Sequence, residues 1–204
     1  MPSRRNLVLA GASLSALVLA GCETPPADTL PDLTFSNARP LPLDVAELVV
    51  EDRSAAFTGD GNGGLVGDSA NDALPEPVAA IVTRWANQRF FAIGQSGSAR
   101  LIIEQASLRR ELLARSQGLR GIVTIDQSER FSTGLTVRMA LSDFNSRRDG
   151  FAWASVAGST TVPENATLAQ RQSLLFEMVE QAINRLDTTL VAEMREKVPA
   201  FVMR

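Results

Sequence analysis

The chain has 204 residues, 45% of them hydrophobic and 21% charged, with a formal net charge of −3. That is the composition of a globular protein able to bury a core, and it leaves no electrostatic footprint for nucleic acid. It contains neither histidine nor tyrosine and a single cysteine, so histidine-based triads and a disulfide framework are excluded from the start.

Arg4 and Arg5 precede an apolar run from Leu7 to Val18, which closes on Leu19-Ala20-Gly21-Cys22. The run is short for a membrane span, and its charged start and small residues fit a secretory signal. The segment resembles the signal and lipobox of bacterial lipoproteins. That resemblance implies cleavage before Cys22, giving a signal at 1–21. It also implies a thioether-linked diacylglycerol and an amide-linked acyl chain, such as palmitate, on Cys22. An ordinary signal would instead leave a free exposed thiol in an oxidising compartment, which is a liability. Losing Arg4 and Arg5 makes the mature chain more acidic. Ser3-Arg4-Arg5-Asn6-Leu7-Val8 also resembles a twin-arginine export signal, and the general-export reading stays open beside it.

Residues 22–43 carry Pro25, Pro26, Pro31, Pro40 and Pro42, and read as an extended stalk between lipid and domain. Glu23 follows the cysteine. By resemblance to enteric lipoproteins, the lack of aspartate there favours the periplasmic face of the outer membrane over the inner membrane.

A single domain is expected over 44–204. Val45–Glu51 is a strand candidate. The glycine-rich run from Thr58 to Asp72 places Asp60 and Asn62 at the first and third positions of a calcium loop, with Asp68 close by. Gly64, Leu65 and Asn71 then break the motif at positions five, six and twelve. With no Gly-Lys-Ser/Thr sequence, a phosphate loop fails too, and a surface loop is the better reading. Asp60, Asn62 and Asp68 are therefore weak metal candidates, and no cofactor is expected.

Pro75-Glu76-Pro77 opens a helix in which Val78, Ile81, Val82, Trp85, Ala86 and Ile93 form an apolar stripe, and Gly94 is its expected end. Phe90 and Phe91 are adjacent and cannot face the same way. Ala99–Ala106 is a strand extending towards Leu113. The stretch Ile122–Arg130 fits either a strand or a short helical turn capped through Thr124 and Gln127. Phe131–Asp143 alternates with a period of two, Asn145–Gly150 reads as a hairpin turn, and Phe151–Gly158 returns with small residues on one face suited to close helix packing.

Thr167-Leu168-Ala169-Gln170 is a capping box for the longest helix, with an apolar stripe of Leu168, Leu175, Val179, Ala182, Leu186 and Leu190. Its final turns, with Phe201 and Met203, are expected either to protrude or to fray. The order of elements gives an α+β fold, with a small antiparallel sheet of about four strands covered on one face by two helices.

Of the acids that could serve a hydrolase, Glu104, Asp126, Glu129 and Asp143 stand in no motif. Lys197, the one lysine, has no serine signature near it. No catalytic residue is assigned. The lipobox and element order resemble the small accessory lipoproteins of bacterial envelopes: ABC-transport auxiliary, YajG-like and LptE-like proteins. The resemblance implies a non-enzymatic factor in envelope lipid or polysaccharide transport or assembly, anchored in the membrane through Cys22 and docked to an envelope complex. A periplasmic binding module for a lipid or peptidoglycan fragment is the second reading, and a carboxylate hydrolase the third.

Overall fold

Three long strands and a 30-residue helix set the architecture. The structure is a computed structural model that describes residues 39–54, 67–114 and 127–203. In chain order the elements are β1 (Leu41–Leu43), β2 (Glu47–Asp52), β3 (Asp68–Ser69), α1 (Val78–Arg89), β4 (Phe90–Ala92), β5 (Ser98–Leu112), β6 (Gln127–Asp143), β7 (Arg148–Pro163) and α2 (Leu168–Lys197).

The α+β class with two helices is as expected, but the sheet is larger and mixed. Strands β2, β5, β6 and β7 lie in that order, and β3 shares the outer edge of β5 with β2. β5, β6 and β7 are antiparallel neighbours, whereas β2 runs parallel to β5 because α1 returns the chain between them. β1 and β4 form a separate parallel pair, so the last residues of the proline-rich segment lie on the domain, with Leu41 and Leu43 buried.

One face of the large sheet is covered by helices. Leu101, Ile103 and Leu108 of β5 and Phe131, Leu135 and Met139 of β6 point into it. α1 lies over β5 and β2 and supplies Ile81, Val82 and Trp85; α2 runs along β7 and β6 and supplies Leu175, Val179, Ile183, Leu186 and Leu190. Each large side chain so buried contributes about 1.5–3 kcal/mol. β7 offers mainly small residues to this layer, Ala152, Ala154 and Gly158 with Val156 and the buried Val162, which brings α2 close: a Cβ at Gly158 would stand 3.2 Å from the Arg185 guanidinium. The capping box of α2 forms in both directions between Thr167 and Gln170.

Four local expectations are corrected. α1 stops at Arg89, short of Gly94, because Phe90–Ala92 pairs with β1 as a strand. Alternation in that strand buries Phe90 edge-on against Trp85, turns Phe91 outward, and leaves Ile93 exposed beyond it. Leu168 is exposed at the first turn of α2, where the helix has not yet met the sheet. The chain after α2 neither protrudes nor frays. Phe201 is buried, Val202 bridges to Leu43, and the Met203 amide donates to the Pro42 carbonyl. Finally, Gln127–Arg130 is the start of β6, while Thr124 lies outside the described residues.

Candidate functional site

The elements converge at one end of the sheet. β1 and β4 run into it, β2 and β5 start from it, the β6–β7 turn closes it, and α2 delivers the tail there. Gly97 makes the turn into β5 at φ +80°, and a Cβ there would come within 2.7 Å of the Ser142 carbonyl.

At this end Asp143 is almost fully buried and surrounded by donors. The Ser146 hydroxyl approaches at 2.5 Å, Ser96 at 3.0 Å and Arg148 at 3.2 Å, and the Asn145 amide donates at 3.0 Å. The carboxyl is held well below the usual carboxylate range, above all by Ser146; burial opposes this, and Arg148, Ser96 and Asn145 add to it. Arg148 also donates to Asp44 at 3.1 Å and to the Ala200 carbonyl at 2.8 Å, and it lies 4.9 Å from the centre of the Phe201 ring. One guanidinium thus joins the hairpin, the segment before β2 and the tail. Ionised at neutral pH and tied on several sides, Asp143 suits structure rather than proton transfer.

A second tie fixes the entry of the chain. Arg89 donates to Asp187 at 2.6 Å and also bonds the Arg39 carbonyl, while the Trp85 indole donates to Asp187 at 3.2 Å.

Among the described residues no helix covers the other face of the large sheet. Cross-strand register places Val49, Arg100, Ala140 and Phe151 in one row and Glu51, Ile102, Arg138 and Trp153 in the next. Phe151 and Trp153 are 62% and 47% exposed. Arg138 stacks over Phe151 at 5.8 Å and pairs with Glu104 at 2.9 Å. Phe144, on the hairpin turn, is 92% exposed. Away from these rows the open face is polar: Ser107, Thr136 and Ser155 come first, then Arg109, Ser132 and Ser159, then the Glu111–Arg130 pair.

Sequence reading did not single out these aromatics. The signal was present in β7, where small residues alternate with Phe151, Trp153, Ser155 and Ala157. Once the small face takes the helix, the aromatic face is left to the open side.

Among the described residues, those singled out from sequence are not assembled into a catalytic or metal centre. Leu19, Ala20, Gly21 and Cys22 lie outside the described residues, as do Asp60, Asn62 and Asp126. Asp68 is exposed on β3 opposite Arg110. Among the described residues no group of three or more metal-ligating side chains is placed to hold an ion. Glu104 faces the open side, whereas Glu129 and Asp143 stand at opposite ends of β6, Glu129 bonded to Arg171. Lys197 pairs with Glu196 at 2.7 Å on the surface. Concavities lie at the rims, including an open groove of about 680 Å³ along α1 and Asp52 and one of about 740 Å³ at the start of α2. A smaller concavity of about 160 Å³ lies between β7 and α2, lined by Gly158, Thr160, Met178 and Arg185. Among the described residues no helix is long and apolar enough to cross a membrane.

No protein-family model and no curated protein matches the sequence. Among solved structures the chain is similar to rare lipoprotein B from Shewanella oneidensis (13% identity, TM-score 0.33, 72% of this chain and 92% of that one). It is similar also to a minor lipoprotein from Acinetobacter baumannii (13%, 0.36, 78% and 96%) and to a Xanthomonas campestris protein (8%, 0.32, 76% and 86%). These likenesses are weak and assign neither function nor partner.

Proposed function

We propose that the protein is a lipid-anchored, non-enzymatic accessory factor of the bacterial cell envelope. In this reading Cys22 carries the acyl chains, the domain sits at the periplasmic face of the outer membrane, and it assists lipid or polysaccharide transport or assembly. The observation that carries the reading is the lone cysteine of the chain, placed at the end of Leu19-Ala20-Gly21-Cys22 behind a short apolar run with a basic start. The fold supports it in one respect. Its buried carboxylates, Asp143 and Glu129, are each engaged by an arginine, which suits a scaffold better than a hydrolase.

Metabolic labelling with palmitate tests the anchor. The wild-type chain is expected to take up label and to fractionate with membranes after a high-salt wash, and Cys22→Ala to do neither. Label retained by Cys22→Ala would refute the anchor. Crosslinking in membranes tests the partner: a specific envelope complex is expected, and a clean monomer across gentle detergents would contradict the accessory role.

A further inference from the structure

Exposed large apolar side chains are unevenly placed on this domain. Among the described residues, Leu112 and Leu168 lie at the end where β5 runs out and α2 begins. The others gather at or near the hairpin end: Phe91, Ile93, Phe144, Phe151, Trp153 and Met203, with Val49 on the adjoining open face. Phe151 and Trp153 lie two residues apart on the open face of β7, and the others stand on the hairpin turn, on β4, just beyond it and on the tail. Arg100 and Arg138 lie between them on the sheet, and Arg147 is exposed beside Phe144 on the turn.

This is also the end into which the described chain first runs. Arg39 is held by Arg89, and β1 leads from there towards the hairpin. Between Cys22 and Arg39 the chain has about 16 residues, reaching at most ~55 Å when extended. A domain so tethered never leaves the neighbourhood of the bilayer. Its surface meets lipid at an effective concentration in the millimolar range, so even a weak apolar contact is populated.

We propose that the hairpin end rests on the same lipid surface that holds the acyl chains of Cys22, with Phe144, Phe151 and Trp153 entering the headgroup region. This proposal rests on the anchor reading above. Exposed aromatics need no complementary partner shape when the partner is a headgroup layer. Trp153 presents an apolar body with a polar N–H, the combination favoured at a membrane interface. Arg100 and Arg138 lie along the sheet with guanidinium groups able to meet lipid phosphate. The domain is acidic overall, so the contact is apolar in origin and persists in high salt.

The two tryptophans make the test direct, because Trp85 is 1% exposed behind the sheet and Trp153 is 47% exposed on its open face. The lipidated protein is reconstituted into vesicles of phosphatidylcholine and phosphatidylglycerol whose acyl chains are brominated. The part of the emission lost in Trp153→Phe identifies the Trp153 signal. Brominated lipid is expected to quench that signal, equally in low and high salt, while aqueous iodide does not. The Phe144→Ser/Phe151→Ser variant, altered only at exposed positions, is expected to lower the docked-to-undocked ratio by about tenfold or more, the scale on which two aromatic side chains return to water.

Mass spectrometry of the Cys22 peptide separates the two readings. An unmodified Cys22 would overturn the anchor and the docking together. Acylated protein that floats with the vesicles, yet keeps Trp153 open to iodide and untouched by brominated lipid, would overturn the docking alone. Trp153 shielded from both quenchers would mean that a protein surface or a second copy covers this end, and would overturn the docking equally.

Discussion

At the hairpin end, four stretches distant in sequence are held together by a few charged side chains. Arg148 spans Asp143, Asp44 and the Ala200 carbonyl, and Asp187 gathers Arg89 and Trp85. The β5–β6–β7 ladder runs the whole length of the sheet, and at the opposite end the further ties are local to the start of α2: the Thr167–Gln170 capping box and the Arg171–Glu129 pair. Strands joined by a ladder and a helix started by its own cap need little else to stay in register. Segments that meet only through tertiary contact need specific bonds, and the price is concentrated dependence on a few groups.

That contrast can be broken most forcefully at Asp187. Asp187→Ala leaves the Arg89 guanidinium buried without its carboxylate and the Trp85 N–H without an acceptor. It is expected to cost about 3–5 kcal/mol in urea unfolding. A loss below about 1 kcal/mol, the scale of an exposed pair, would mean that the hairpin end does not depend on this tie.

Asp143 sharpens the comparison through pH. Its carboxyl titrates below the ordinary range in the folded state, so its contribution is present above the unfolded-state value, near pH ~4, and is lost as pH falls towards the folded value. Stability of the wild type is expected to fall on acidification below that point. Asp143→Asn should be less stable at neutral pH, with a flatter acid limb in thermal melts across pH 2 to 7. An unchanged limb would remove Asp143 from the account.

At the other end the effects shrink. Thr167→Ala removes one half of the capping box and is expected to cost about 1 kcal/mol, read as a small drop in melting temperature. Leu168→Ser changes a side chain that is already in water, so stability should move by no more than about 0.5 kcal/mol. A large loss there would show that the start of α2 is packed against something beyond the described residues.

The local patterns are the legible ones: period-two alternation in Phe131–Asp143 and Phe151–Gly158, and the Thr167–Gln170 box, survive folding unchanged. The tertiary ties of the hairpin end are not legible, because they join residues far apart. Nothing near Asp143 in sequence announces Asp44, and nothing near Leu43 announces Val202. For the same reason the parallel pairing of β2 was missed, since it depends on where α1 sends the chain back. Phe90–Ala92 falls inside the helix expected to end at Gly94, because three residues are too few to reveal a strand period. Of the candidate residues, Cys22 stands out in the sequence because its motif is contiguous, and it lies outside the described residues. The open-face aromatics acquire meaning only once α2 has taken the small face of β7.

The tail pairing also bears on how the molecule is built. β1 is short, and its completed setting includes the Val202 bridge and the Met203 amide. A chain emerging N-terminus first, whether from a ribosome or a translocation pore, must therefore hold Leu41–Leu43 unfinished until the whole hairpin and α2 have followed. Contacts of such sequence separation form slowly. Throughout that interval Leu41–Leu43 lacks its last partners, and the pairing of the tail with it is among the final contacts to form.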